Sequence, residues 1–156
     1  MVLRYTTAQT KIDNKTCKLL SMYVIVLRSL YLIHQQNHWR TKAYDTHLLF
    51  QRLYEGVLVD VDAAAERTIG ITGELLYTGM ENEISKNFRT YDKKALTYLN
   101  SSMGAEKEYQ KVVKNLYRIL KETDELTLGL DDLLMSQASN GEERMYLLEQ
   151  SIQNCK

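Results

Sequence analysis

Residues 38–67 read HWRTKAYDTHLLFQRLYEGVLVDVDAAAER, and the interpretation of the whole chain turns on them. They carry two of the three histidines, His38 and His47, followed by an acid pair, Asp62 and Glu66. The two acids stand four positions apart, so on a helix their carboxylates share one face, one turn apart. From His47 to Asp62 is fifteen positions, about 22 Å along a helix that rises roughly 1.5 Å per residue. Bonds from a metal to its ligands are only about 2 Å long. If the segment is helical, one chain cannot close these four groups around one ion. Either they share nothing, or a second copy of the chain brings its acids to the first copy's histidines.

Within this stretch Phe50, Leu53, Tyr54, Val57, Leu58, Val61 and Ala65 recur at steps of three and four, which predicts a helix from about Tyr44 to Ile69. Before it, Asp13 or Asn14 is a candidate cap for a helix running to about Arg40. Its run LLSMYVIVLRSLYLI (19–33) is apolar around most of the cylinder. That run is too short for a membrane span and contains Arg28, so it reads as a buried helix. Residues 1–13 lack helical periodicity and read as a flexible tail, leaving 14–156 as one domain.

After the second helix, ITGELLYTGMENEISKNFRTY (71–91) reads as a long crossover with a candidate short helix at Glu74 to Tyr77. Asp92 is a candidate cap for a third helix reaching about Lys121, with Leu96, Leu99, Met103, Val113, Leu116 and Leu120 on one side. Thr123 or Asp124 would cap a fourth ending near Gln153, which Asn140-Gly141 is expected to kink or break. The expected fold is all-α: a ferritin-like antiparallel four-helix bundle with a long crossover between the second and third helices.

The chain has no proline, seven glycines, and twenty basic against twenty acidic residues, so no global field draws it to nucleic acid or an anionic membrane. Cys17 and Cys155 lie near opposite ends without metal-like spacing and read as reduced thiols. With no secretory signature at the N-terminus, the expected location is the cytoplasm.

Nine positions separate His38 from His47, half a turn of rotation on an unbroken helix, so the rings converge only if the chain turns back at RTKAYD. The plain alternative leaves both as ordinary helix-end residues. His34 and His38 also form an H-x-x-x-H pair, but no third ligand lies nearby, and His34 reads as a polar surface or interface residue. Asp62 and Glu66, with Asp60 and Arg67 beside them, read by default as a solvated acidic face. If they do bind metal, carboxylates mixed with imidazole suit Fe(II), Mn(II) or Zn(II). No histidine has a glutamate three residues before it, which argues against the Glu-x-x-His centre inside a ferritin bundle.

His38-Trp39, His47, Phe50, Leu53-Tyr54, Asp62 and Ala65-Glu66-Arg67 together resemble the second-helix region of the Dps-type miniferritins, the DNA-protection proteins of starved cells. The resemblance covers about a fifth of the chain, residues 38–67. The interval between His38 and His47 is shorter than the family's usual one and lacks its turn glycine, closer to a short-turn branch associated with phages. The resemblance implies a metal site of His38, His47, Asp62 and Glu66 shared across a two-fold dimer interface. It implies iron (Fe2+/Fe3+) as the metal, hydrogen peroxide as the preferred oxidant, and a homo-oligomer, a dodecamer built from dimers, that stores ferric mineral. A phage-encoded member would act in the host cytoplasm.

In the family, DNA is often held by a mobile lysine-rich tail. Here residues 1–18 carry Arg4, Lys11, Lys15 and Lys18 against Asp13, a net +3. With the whole chain neutral, DNA binding is the less favoured reading. Of eleven tyrosines, Tyr31, Tyr54, Tyr109 and Tyr117 fall on apolar stripes and are expected in the core or an interface. The shortened turn motivates one alternative: a ferritin-like assembly or DNA-packaging protein that binds metal weakly and does not oxidise it.

Overall fold

The computed structural model describes residues 14–76, 79–94 and 97–154. They form five helices: α1 (Asn14–Arg40), α2 (Tyr44–Thr72), α3 (Met80–Lys94), α4 (Tyr98–Glu122) and α5 (Leu128–Asn154). The class is all-α, with no strand among the described residues. The tail at 1–13 and Cys155 lie outside them.

Local chemistry explains the ends. α2 stops at Gly73, whose φ of 81° is left-handed and whose N–H reaches the Ile69 carbonyl, a geometry that glycine adopts at little cost. At the start of α4 the Thr97 side chain accepts from the Asn100 N–H at 3.1 Å, and at the start of α5 the Thr127 hydroxyl accepts from the Leu130 N–H at 3.1 Å. Both starts differ from the sequence expectation. Asp92 lies inside α3 rather than capping α4, and neither Thr123 nor Asp124 opens α5. Residues 74–76 are not helical, Tyr77 lies outside the described residues, and the crossover instead carries the longer helix α3.

α1 packs against α2, α3 and α4, and α5 against α4 and α2. Asn37 meets Tyr98 while Tyr23 meets Tyr109, so α1 and α4 run antiparallel. Arg52 meets Glu143 while the Arg67 guanidinium stands against Gly129, so α2 and α5 do too. α2 ends beside the start of α1, where the Leu76 N–H donates to the Ser21 hydroxyl at 3.1 Å. α4 begins beside the end of α1. The connection must therefore travel the length of α1, and α3 makes the journey, with Asn87 Nδ2 3.5 Å from Ser29 Oγ.

Three helices covering α1 explain why apolar residues surround it. It is long and apolar enough to cross a membrane by length and composition, yet 61% of that apolar window is buried within the chain. The larger core cluster joins Leu20, Leu27 and Leu30 of α1 to Val57, Tyr109, Leu120 and Leu134; a smaller one joins Phe50 and Leu53 to Leu99, Met103 and Leu148. Each such side chain, fully buried, contributes about 1.5–3 kcal/mol. Leu58, expected on the inner stripe of α2, instead faces out at 43% exposure.

Asn140-Gly141 does not break α5. Gly141 is there for space: a Cβ built on it would lie 2.9 Å from Tyr109 Cε1 and closer still to Gln110 Nε2. At Gly104, inside α4, an added Cβ would meet nothing within 4 Å. Opposite effects follow in urea unfolding. Gly104→Ala should stabilise by up to about 1 kcal/mol through helix propensity. Gly141→Ala should destabilise by about 1–3 kcal/mol through overpacking.

Candidate functional site

The three residues between α1 and α2 turn the chain back on itself at the RTKAYD segment. The Thr41 N–H donates to the Asn37 carbonyl at 3.0 Å, and the Thr41 and Thr46 hydroxyls bond at 2.7 Å. The Thr46 hydroxyl also reaches the Ala43 carbonyl at 3.0 Å. This closure brings His38 and His47 together, with ring centroids 3.8 Å apart and planes 28° from parallel.

Each ring is held by the other residue's backbone. His38 Nδ1 lies 2.9 Å from the His47 carbonyl oxygen, and His47 Nδ1 lies 3.0 Å from the His38 carbonyl oxygen. A carbonyl only accepts, so Nδ1 carries the proton in both rings. Each neutral ring therefore keeps its lone pair on Nε2, the nitrogen a metal would take. Both side chains are half-buried. Tyr54 stands edge-on to His38 at 5.3 Å, and Tyr31 edge-on to Tyr54 at 5.8 Å.

Asp62 and Glu66 are exposed on α2, one turn apart as expected. α2 is continuous from His47 to Asp62, so about 22 Å of helix separates the histidine pair from the acids. Among the described residues, no group of three or more His, Cys, Asp or Glu side chains is placed to hold a metal ion. The structure thus joins the two histidines and leaves the acids at the far end of the same helix. Tyr44, Leu48, Leu58 and Val59 are exposed on α2 between and around them, and Trp39 is exposed on α1.

His34 corrects the sequence expectation. It is not at the surface but fully buried, so it cannot join His38 in an exposed H-x-x-x-H site. Its Nδ1 lies 2.9 Å from Ser102 Oγ and its Nε2 lies 2.7 Å from Glu106 Oε1. Glu106 in turn accepts from Arg144 Nε at 2.6 Å, and Arg144 Nη1 donates to Asp60 Oδ2 at 2.9 Å. Asp60, which sequence reasoning grouped with the solvated acids, is buried and also accepts from Asn140 at 2.9 Å. Burial pushes the Asp60 carboxyl above its ordinary pKa while Arg144 and Asn140 pull it back. Nearby, the Tyr23 hydroxyl donates to Gln137 Oε1 at 2.6 Å and lies 2.9 Å from the Tyr109 hydroxyl. Burial is the largest cause raising both tyrosine pKa values.

Sequence reasoning passed over Glu106 and Arg144, although a signal was present. Glu106 falls in step with Leu99, Met103, Gln110 and Val113, and Arg144 with Leu134, Gln137, Gly141 and Leu148, all buried. A charge at a core position of an amphipathic stripe marks a buried ion pair.

No family model, curated protein or solved structure matches the chain. What the residues themselves show is the locked tautomer. In nitrogen-15 NMR of the neutral protein, His38 and His47 should both show a protonated Nδ1 and an unprotonated Nε2. An unprotonated Nδ1 on either ring would mean that the reciprocal bonds to the carbonyls do not hold in solution.

Proposed function

We propose that the chain is a ferritin-like protein of the miniferritin type, which binds Fe(II) at sites shared between two copies and oxidises it with hydrogen peroxide. One observation carries this reading. Two histidines present free Nε2 lone pairs at one end of α2, and two exposed carboxylates stand at the other. Two α2 helices packed antiparallel about a two-fold axis exchange ends, so each copy's acids meet the other's histidines. The same pairing would cover Leu48, Leu58 and Val59 on that face. The helix order, with its crossover along α1, is consistent with ferritin-like connectivity.

Ring geometry favours two irons per site. Lone pairs lie in the ring planes, and planes 28° apart with centroids 3.8 Å apart do not converge on one ion held about 2 Å from each nitrogen. His38 and His47 would each take one Fe(II), with Asp62 and Glu66 of the other copy supplying oxygen ligands. Glu66 has two oxygens and so suits a bridging role. Each iron gives one electron, the peroxide O–O bond breaks, and hydrolysis of the two Fe(III) products releases protons and builds ferric oxyhydroxide. Peroxide as a two-electron acceptor matches a pair of one-electron donors, so no hydroxyl radical escapes. The shortened turn was the motive for a non-catalytic assembly; it leaves the two rings stacked, so that motive weakens.

Anaerobic Fe(II) titration alongside solution mass, followed by peroxide, tests the reading. It expects saturation near about two irons per subunit, a dodecameric particle and rapid oxidation, with His47→Ala and Glu66→Ala each losing most of the oxidation rate. A well-folded oligomer that binds no iron above background would favour the non-catalytic assembly instead.

A further inference from the structure

The histidine pair is held by a small number of hydrogen bonds. The His38 carbonyl accepts from the ring of His47, and the His38 ring donates to the His47 carbonyl. Any displacement of the last turn of α1 therefore moves both rings together. That turn is tied to the interior through Asn37, the residue immediately before His38 and itself buried. Asn37 Nδ2 uses both hydrogens, one on the Tyr98 carbonyl at 3.1 Å and one on Ser102 Oγ at 2.9 Å. Its backbone carbonyl accepts from the Thr41 N–H that begins the turn.

Beyond Ser102 the chain of bonds continues through His34 and Glu106 to Arg144 and Asp60. Asp60 lies on α2, the helix that carries His47. The bonds thus pass from α1 through α4 and α5 to α2, and the circuit closes through the histidine pair.

We infer that Asn37 is a positioning residue for the histidine pair, setting where both Nε2 atoms stand by anchoring the last turn of α1 to Ser102 and Tyr98. The metal consequence rests on the function proposed above; the positioning itself does not. Groups that orient metal-binding imidazoles without touching the metal typically change affinity by about 10–100-fold when removed.

The test compares wild type, Asn37→Ala, Ser102→Ala and, as a control for lost stability alone, Gly141→Ala, all as full-length chains. The first readout is nitrogen-15 NMR of the His38 and His47 Nδ1–H groups without metal; the second is Co(II) affinity from its visible absorption. Asn37→Ala should lose or broaden both Nδ1–H signals and weaken Co(II) binding about 10–100-fold. Ser102→Ala, which removes one of the two anchors and is a smaller change should Asn37→Ala not fold, should do so to a lesser degree. Gly141→Ala should keep the signals and the affinity. Unchanged Nδ1–H signals in folded Asn37→Ala and Ser102→Ala, or equal loss in Gly141→Ala, would overturn the inference. If wild type binds no Co(II) but the NMR differences appear, the positioning stands and the metal reading falls.

Discussion

Arg144 is the cation on which the interior depends. Glu106 and Asp60 are both buried, and an unpaired carboxylate there would cost several kcal/mol. The Arg144 guanidinium answers both, through Nε to Glu106 and Nη1 to Asp60, and so ties α4 and α2 to α5. Desolvation offsets much of the attraction within such a group, so its main consequence is register rather than net stability. Slide one helix by a turn and a charge is stranded. Through Glu106 and His34 the same restraint reaches α1, and through Asn37 it reaches the turn that stacks the histidines.

This arrangement separates two kinds of chemistry. Inside, two carboxylates and an imidazole meet a guanidinium, which already occupies the place between the acids. Outside, the half-buried histidine pair and the exposed acids of α2 are divided by about four turns of the helix. The proposed iron site follows from that division: the groups free to bind a metal become adjacent only when α2 faces a second α2. On this account the assembly and the oxidation are one property, since an isolated chain has each half of a site and no whole one.

Much of this was legible in the sequence, and the parts that were not have physical reasons. α1 and α2 were readable because their apolar spacing is regular, and the turn between them because the two histidines could meet only if the chain reversed there. α3 was hidden: Gly73 and Gly79 flank its approach, and MENEISKNFRTYDKK is too polar to look like a helix with something to bury. The starts of α4 and α5 were misplaced because Asp92, Thr123 and Asp124 are as good cap residues as Thr97 and Thr127; only tertiary packing decides among them. Charged residues read as surface by default, which concealed Glu106, Arg144 and Asp60. His34 shares a face with Leu27, Leu30 and Asn37, and that spacing marks it as an inward residue.

The most direct measurement of the central claim is complementation between two defective variants. His47→Ala lacks a ring at one end of α2, and Glu66→Ala lacks a carboxylate at the other. Co-assembled by unfolding and refolding the mixture, with mixed dimers verified by native mass spectrometry, they pair the intact histidines of one copy with the intact acids of the other. If the site is shared between copies, each mixed dimer regains one of its two sites and peroxide-dependent Fe(II) oxidation returns. Mixed dimers as inactive as either parent would contradict a shared site.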